Sequence, residues 1–154
     1  MKYTETAITF REIPDEVCLC INISNCPNRC PDCHSKYLWD DIGKELTAEV
    51  LTDIIDKNIG GITCICFMGG DANLNELSSL NKAAKYMYPK LKTAWYSGRN
   101  DVSSIPQSFP IDSFDYIKVG SYITEFGPLT SKTTNQHLYK IDGVITDITY
   151  NFWK

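Results

Sequence analysis

Three cysteines lie close together in the segment CPNRCPDC, which begins at Cys26 and ends at Cys33. The spacing is C-x3-C-x2-C through Cys30, with no fourth cysteine at a matching interval. Three thiolates can ligate three irons of a [4Fe–4S] cluster and leave the fourth iron without a protein ligand. An open iron can bind a substrate, whereas a fully ligated cluster only passes electrons. The chain must therefore fold so that these three thiols meet, and the loop predicts an iron–sulfur site with a chemical function.

A zinc site is the alternative for the same loop. His34 follows the third cysteine directly, and Cys18 or Cys20 could supply a ligand from upstream. Structural zinc sites usually take their ligands as two separated pairs. Here the three cysteines are local, and His34 is too close to Cys33 to act easily as its partner, so the spacing favours the cluster.

The composition excludes several classes of protein. The 154 residues are 43% hydrophobic and 22% charged with a net charge of −4, which is typical of one globular domain spanning residues 1–154. No run of lysines or arginines occurs, so a nucleic-acid or anionic-membrane surface is not expected. No stretch approaches about 18 apolar residues, and the first residues lack an apolar signal region. We therefore expect a cytoplasmic protein.

The other four of the seven cysteines form two C-x-C pairs inside apolar runs, Cys18 with Cys20 and Cys64 with Cys66. An odd count without a secretory signal argues against a disulfide framework. Residues two apart in a strand share a face, and free cysteine is among the most buried residue types. We predict four buried small hydrophobes, with a secondary redox role left open.

The spacing of apolar residues predicts alternating strands and helices. Helices are expected to begin at Thr47 and near Asn75 and to end at Gly60-Gly61 and Pro89. A two-residue type I′ turn is expected at Asp142-Gly143. Strands are expected at residues 3–10, 17–23, 62–67, 91–96, 116–119, 138–141 and 144–149.

This order of elements determines the predicted fold class. Alternating strands and helices imply parallel βαβ units with right-handed crossovers. A full eight-fold barrel needs about 250 residues, more than the chain has. We therefore predict an α/β fold, a partial (open) parallel βα barrel, whose open side would suit a macromolecular substrate.

The cysteine loop and several later segments resemble the radical S-adenosylmethionine (SAM) superfamily, whose signature is this loop after the first barrel strand. The segment from His34 through Thr47, which contains Trp39 and Gly43, is similar to the one that follows the loop in glycyl-radical-enzyme activases. The stretch FMGGD, ending at Asp71, lies where the superfamily carries Gly-Gly-Glu, and WYSG, containing Ser97, resembles its nucleoside-binding strand. The resemblance implies a barrel of the radical SAM type.

The C-terminal part is similar more narrowly to the activating proteins of anaerobic (class III) ribonucleotide reductase. It resembles them from Asp115 to Gly120 and again from Leu129 to His137, and the chain length also fits that family. Pyruvate formate-lyase activases are distinctly longer. Three residues depart from the pattern: Asp71 replaces a glutamate, His137 stands where arginine is common, and Asp32 stands where many members have an aromatic residue.

The resemblance implies a set of cofactor contacts. Cys26, Cys30 and Cys33 would be the catalytic metal ligands of the [4Fe–4S] cluster, and SAM would chelate its fourth iron. Four further residues would contact SAM: two glycines that let its methionine part approach the backbone, a carboxylate that accepts from its amino group, and a serine near its ribose. These are Gly69, Gly70, Asp71 and Ser97.

The resemblance also implies a reaction and its partners. Reductive cleavage of SAM would yield a radical that takes a hydrogen atom from a glycine of the large subunit of anaerobic ribonucleotide reductase. A flavodoxin or ferredoxin would supply the electron. Two alternatives stay open: an activase of another glycyl radical enzyme of the pyruvate formate-lyase type, and a non-catalytic iron–sulfur or zinc module.

Several of these residues also have ordinary structural interpretations. Asp71 and Asn73 could cap the next helix, and Ser97 could be an exposed residue at a strand end. His34 could hydrogen-bond a cluster sulfide or only cap the loop. The remaining candidates are Trp39 as a packing residue, Asn135 and Gln136 as a contact to the partner's glycine loop or a surface turn, and Arg29 and Lys36 as a positive rim or solvated charges.

Overall fold

The centre of the molecule is one eight-stranded sheet with strands running in both directions. The computed structural model describes residues 1–154. The strand order is β3-β1-β2-β4-β5-β6-β7-β8. The strands are β1 (Lys2–Thr9), β2 (Cys18–Ile23), β3 (Lys44–Glu45), β4 (Cys64–Met68), β5 (Lys92–Tyr96), β6 (Tyr116–Val119), β7 (His137–Ile141) and β8 (Ile145–Asp147). The helices are α1 (Ala48–Asp56) and α2 (Leu74–Met87).

The predicted fold class, a partial parallel βα barrel of the radical SAM type, is wrong. Only the three central pairings, β2–β4, β4–β5 and β5–β6, are parallel, and the four outer pairings are antiparallel. The chain forms only two α-helices, and β5 connects to β6 through short 3-10 turns at Val102–Ser104 and Ile111–Ser113. A parallel connection needs a dozen or more residues, which the short loops at 10–17 and 142–144 do not have. The result is a small mixed sheet.

The last hairpin has a different turn from the predicted one. Ile141 pairs with Ile145, so three residues rather than two form the connection. Gly143 has a φ of +67° and is the one residue of the turn in the left-handed region. A type I′ turn needs positive φ at both central residues, and Asp142 does not adopt it.

Both faces of the sheet are buried. One face packs against the helices and carries the larger cluster, in which Phe67 and Trp95 are fully buried against helix residues such as Leu77. Leu51 and Ile55 of α1 join the same core, and Thr47 caps that helix by accepting a hydrogen bond from the Val50 N–H at 3.2 Å. Neither helix has both the length and the hydropathy of a membrane-spanning segment.

The opposite face carries the four cysteines predicted to be buried, and this prediction is confirmed. Cys18 lies opposite Cys64 and Cys20 opposite Cys66 on the parallel strands β2 and β4, and each is at most 5% exposed. They pack in an apolar cluster with Ile13 of the β1–β2 loop, and Ile148 and Phe152 cover it in part. Burial and the neighbouring Cys20 thiol raise the pKa of Cys66, so this thiol stays neutral.

Candidate metal centre

The cysteine loop begins where β2 ends and is fastened to the segment that follows it. The backbone N–H of Cys26 donates to the Leu38 carbonyl at 2.9 Å, and that of Asn25 donates to the Asp40 carbonyl at 3.0 Å. Asn25 and Arg29 have φ values of 60° and 44°, in the left-handed region where the chain reverses sharply. The loop is therefore folded into a tight turn by its own backbone.

The three thiols of the loop line one cavity of about 560 Å³. All three are free and half-buried. The Ser35 N–H donates to Cys33 Sγ at 3.3 Å, and the Asn28 amide donates to Cys26 Sγ at 3.7 Å. Burial raises the pKa of Cys30, and the nearby Cys26 and Cys33 thiolates raise it further by repulsion. A positively charged iron–sulfur core would relieve that repulsion.

Trp39 provides an independent test of whether an iron–sulfur cluster fits. It lines the same cavity, and its indole Nε1 is buried without a hydrogen-bond partner. A buried donor without a partner is destabilising unless a ligand provides an acceptor, and the sulfurs of a cluster accept hydrogen bonds.

The spacing of the three cysteine sulfurs is also compatible with a cluster. Each cysteine of a cluster ligates its own iron, so the sulfurs need not meet at one ion. The structure contains no three His, Cys, Asp or Glu side chains close enough for a single metal ion. The residues present fit the cluster.

The upstream cysteines invoked for a zinc site belong to a different part of the molecule. Cys18 and Cys20 are buried in the apolar cluster with Cys64 and Cys66 and do not line the cavity. His34 does line it, with its ring edge-on to Tyr122 at 4.5 Å between centroids. Of the proposed fourth ligands, only His34 is therefore near the loop thiols.

Asp71 is the centre of a second wall of the cavity. It is 7% exposed, follows β4, and accepts hydrogen bonds from Ser97 Oγ at 2.6 Å, Asn28 Nδ2 at 3.0 Å and the Gly98 N–H at 3.2 Å. Arg99 Nε lies 3.2 Å from its Oδ1 but is not aligned for a hydrogen bond. Because Asn28 belongs to the cysteine loop, this carboxylate ties the loop to the ends of β4 and β5.

The structure assigns the helix cap to Asn73 alone. Its Oδ1 accepts from the Glu76 N–H at 3.1 Å at the start of α2, and Asp71 takes no part. Ser97 is 1% exposed, so it is not the exposed serine considered from the sequence. Both Asp71 and Ser97 face the cavity.

The two glycines after β4 separate. Gly69, with a φ of +111°, lines the cavity, and its carbonyl accepts from Trp95 Nε1 at 3.0 Å. Gly70 lies away from it, where an added Cβ would meet the Leu77 side chain at 3.2 Å. The structure therefore brings Gly69, Asp71, Ser97 and the three cysteines to one cavity and leaves Gly70 outside it.

We expect Asn73→Ala to destabilise the protein by about 1 kcal/mol, the usual cost of losing an N-cap side chain. Asn75→Ala is the matched control, because Asn75 is exposed in the first turn of the same helix. Urea unfolding monitored by circular dichroism measures both. Equal stability of the two variants would contradict the assignment of the cap.

The remaining candidates fall in different places. Gln136 is 6% exposed, lines the cavity and donates to the Gly120 carbonyl at 3.3 Å, so it is not part of a surface turn. Asn135 donates to the Ser121 carbonyl at 2.9 Å. Arg29 and Lys36 lie over the Trp39 ring, at 5.8 and 5.6 Å from its centroid, and not in the cavity wall.

Two wall residues were missed from the sequence. Lys118 is buried in β6, and Asn28 joins the loop to Asp71. The sequence did contain a signal for Lys118, because this lysine interrupts the otherwise apolar run YIKV. No local pattern marks Asn28, because its partner is 43 positions away.

Comparison with known proteins adds one finding. The family model described as a 4Fe-4S single cluster domain matches residues 16–121, a range that includes the cysteine loop, Asp71, Ser97 and Lys118. No curated protein and no solved structure gives a significant match.

Proposed function

The chain belongs to the 4Fe-4S single cluster domain family, and from this membership together with the geometry of the cysteine cavity we propose that it is a radical SAM activase that generates a glycyl radical on anaerobic ribonucleotide reductase. The family membership by itself supports an iron–sulfur cluster of the [4Fe–4S] type. The finer proposal depends on one observation: three cysteines in C-x3-C-x2-C spacing line a cavity that also contains a buried carboxylate. Three protein ligands leave one iron open to a substrate.

The cavity next to the cysteines has room for such a substrate. Its volume of about 560 Å³ lies within the range of roughly 300–1,000 Å³ that is usual for small-molecule sites. Gly69 presents backbone without a Cβ at its wall, and aromatic groups such as Tyr96 line it as well. These features support a nucleoside-containing ligand beside the cluster.

Asp71 and Ser97 are proposed to orient that ligand. The Asp71 carboxylate is buried at the cavity wall and would accept a charge-assisted hydrogen bond from an ammonium group. Its oxygens already accept from Ser97, Asn28 and Gly98, so the ligand would share these acceptors or displace Asn28. Ser97 is held in place by its bond to Asp71 and would contact a ribose hydroxyl.

The residues and the cofactor have separate tasks in this proposal. When bound, the cluster supplies the electron for reductive cleavage of SAM. Cys26, Cys30 and Cys33 would hold it, and the unpaired Trp39 N–H would be available to one of its sulfurs. The apolar part of the wall, which includes Met68 and Leu38, would limit the access of water to the reacting atoms.

The choice of protein substrate is supported by the C-terminal segment. Leu129, Thr130 and Gln136 belong to the stretch that resembles reductase activases, and all three line the cavity. A glycine loop of the partner entering here would meet both this segment and the bound SAM. We propose the large subunit of anaerobic ribonucleotide reductase as the partner, with a flavodoxin or ferredoxin as reductant; another glycyl radical enzyme is the neighbouring alternative.

One observation favours a second candidate, a non-catalytic iron–sulfur module. The Asp71 carboxylate is already satisfied by three hydrogen bonds from the protein itself. In this second candidate, Asp71 would fix the cysteine loop against the sheet and would bind no ligand. In that case the cluster would transfer electrons without binding SAM.

Anaerobic electron paramagnetic resonance separates these two functions. The iron-reconstituted, dithionite-reduced protein is measured with and without SAM. We expect a [4Fe–4S] signal whose shape changes on addition of SAM, because the ligand binds the open iron. S-adenosylhomocysteine, which lacks the sulfonium, is the control for cleavage products. A cluster signal that is indifferent to SAM would reject the activase and leave the electron-transfer module.

A further inference from the structure

Lys118 is a buried ammonium in the wall of the cysteine cavity. It lies in β6 and is 8% exposed. Its Nζ donates to the Gly120 carbonyl at 2.5 Å and lies 5.8 Å from the centroid of the Tyr96 ring. It forms no ion pair with any carboxylate. An ammonium has three donors, and a buried charge without an opposite charge is costly.

The titratable groups that act most strongly on Lys118 are all acidic. Burial lowers the pKa of Lys118 to about 8, and the charges of Cys30, Asp71, Glu12 and Cys33 act in the opposite direction. Asp71 is engaged with the protein's own donors, as described above. The thiols of the loop have no cation of their own. The cavity therefore contains a buried ammonium without an ion-pair partner together with three free cysteine thiols.

Lys118 is held rigidly in this position. Gly120 has a φ of +100°, and a Cβ there would come within 2.8 Å of the Asn135 carbonyl oxygen. The Gly120 carbonyl accepts hydrogen bonds from both Lys118 Nζ and Gln136 Nε2. These contacts hold the Lys118 ammonium in the cavity wall, so that it does not extend toward solvent.

We propose that Lys118 is the counter-charge of the cluster and sets its reduction potential. The inference rests on the cluster being bound by Cys26, Cys30 and Cys33, and not on SAM chemistry. A thiolate-ligated cluster is anionic and becomes more so when it takes up an electron. A fixed positive charge in a site of low dielectric constant therefore stabilises the reduced form more than the oxidised form. Net charge and hydrogen bonds to sulfur are among the factors that set cluster potentials.

The test is a potentiometric titration of the reconstituted protein, with the reduced cluster followed by electron paramagnetic resonance. Lys118→Met should shift the midpoint potential to more negative values, and Lys118→Arg should restore much of the shift. Lys140→Met is the matched control, because Lys140 is an exposed lysine on the neighbouring strand β7; its potential should equal that of the unsubstituted protein.

The other outcomes are equally decisive. An unchanged midpoint potential in Lys118→Met would overturn the inference. If the same variant also binds SAM more weakly, the Lys118 ammonium would instead pair with the carboxylate of the bound ligand. If Lys118→Met retains no cluster, retention in Lys118→Arg supports the counter-charge, whereas loss in both variants overturns it. Unfolding of the iron-free protein checks the fold: Lys118→Met should be at least as stable as the original, because a buried charge is removed. If the cluster signal does not change with SAM but the potential does change in Lys118→Met, the activase proposal is rejected and the counter-charge inference stands.

Discussion

Cys30→Ala is expected to give a folded protein that retains no intact [4Fe–4S] cluster. Two thiolates would remain for four irons, and loss of an outer-shell partner alone already costs about 10–100-fold in metal affinity. We therefore expect iron retention to weaken by more than about 100-fold. The fold should survive, because Cys30 is half-buried in a loop and belongs to neither apolar cluster of the sheet. Iron and sulfide analysis after anaerobic reconstitution measures the loss.

Cys64→Ala is the matched control for this substitution. Cys64 is fully buried on β4 and lies outside the cavity. Its replacement should cost about 1 kcal/mol of stability, as the loss of one buried group of methyl size does, and should leave the cluster in place. A full cluster in Cys30→Ala would show that Cys30 is not a ligand. A lost cluster in a folded Cys64→Ala protein would show that the cluster depends on the buried cysteines as well, against the proposed ligand set.

Asp71→Ala is expected to weaken SAM binding by about 10–100-fold while the cluster persists. The estimate follows from the 1.5–3 kcal/mol that a hydrogen bond to a charged group contributes, at about 1.4 kcal/mol for each tenfold change. The same change should lower stability by about 1–3 kcal/mol, because the Ser97, Asn28 and Gly98 donors lose their acceptor. Equilibrium dialysis with SAM and urea unfolding measure the two effects.

Two further variants separate binding from folding at this position. Asp112→Ala is the control, since Asp112 is exposed in a 3-10 turn and its loss should change neither quantity by more than about 0.5 kcal/mol. Asp71→Glu introduces the residue usual in the resembling superfamily and should retain SAM binding. If Asp71→Ala loses stability but keeps its full SAM affinity, Asp71 is a structural tie between the loop and the sheet, and the second candidate function gains support.

Local features of the chain were predicted well from the sequence. Thr47 was expected to begin the first helix and is its N-cap, and the second helix, expected at 75–88, is Leu74–Met87. The burial of the four C-x-C cysteines was also predicted correctly. Caps, strand patterns and buried pairs depend on residues within a few positions of one another, so the sequence displays them directly.

The direction of the strands was not predictable in the same way. The alternation of strands and helices is correct as far as β5, but β6 follows without an α-helix, and the outer strands pair antiparallel. A strand pattern is the same for either direction of its neighbour. The sheet becomes mixed because connection lengths and the packing of both faces decide the pairing.

The sequence by itself determined the cluster loop, its C-x3-C-x2-C spacing and the elements on either side of it. Only the tertiary structure decided which side chains share the cavity with those cysteines. Asp71 meets Asn28 across 43 positions and Ser97 across 26, and Lys118 faces the loop from β6. These contacts arise because the ends of parallel strands meet at one edge of the sheet, where groups far apart in the chain are brought together and buried as a set.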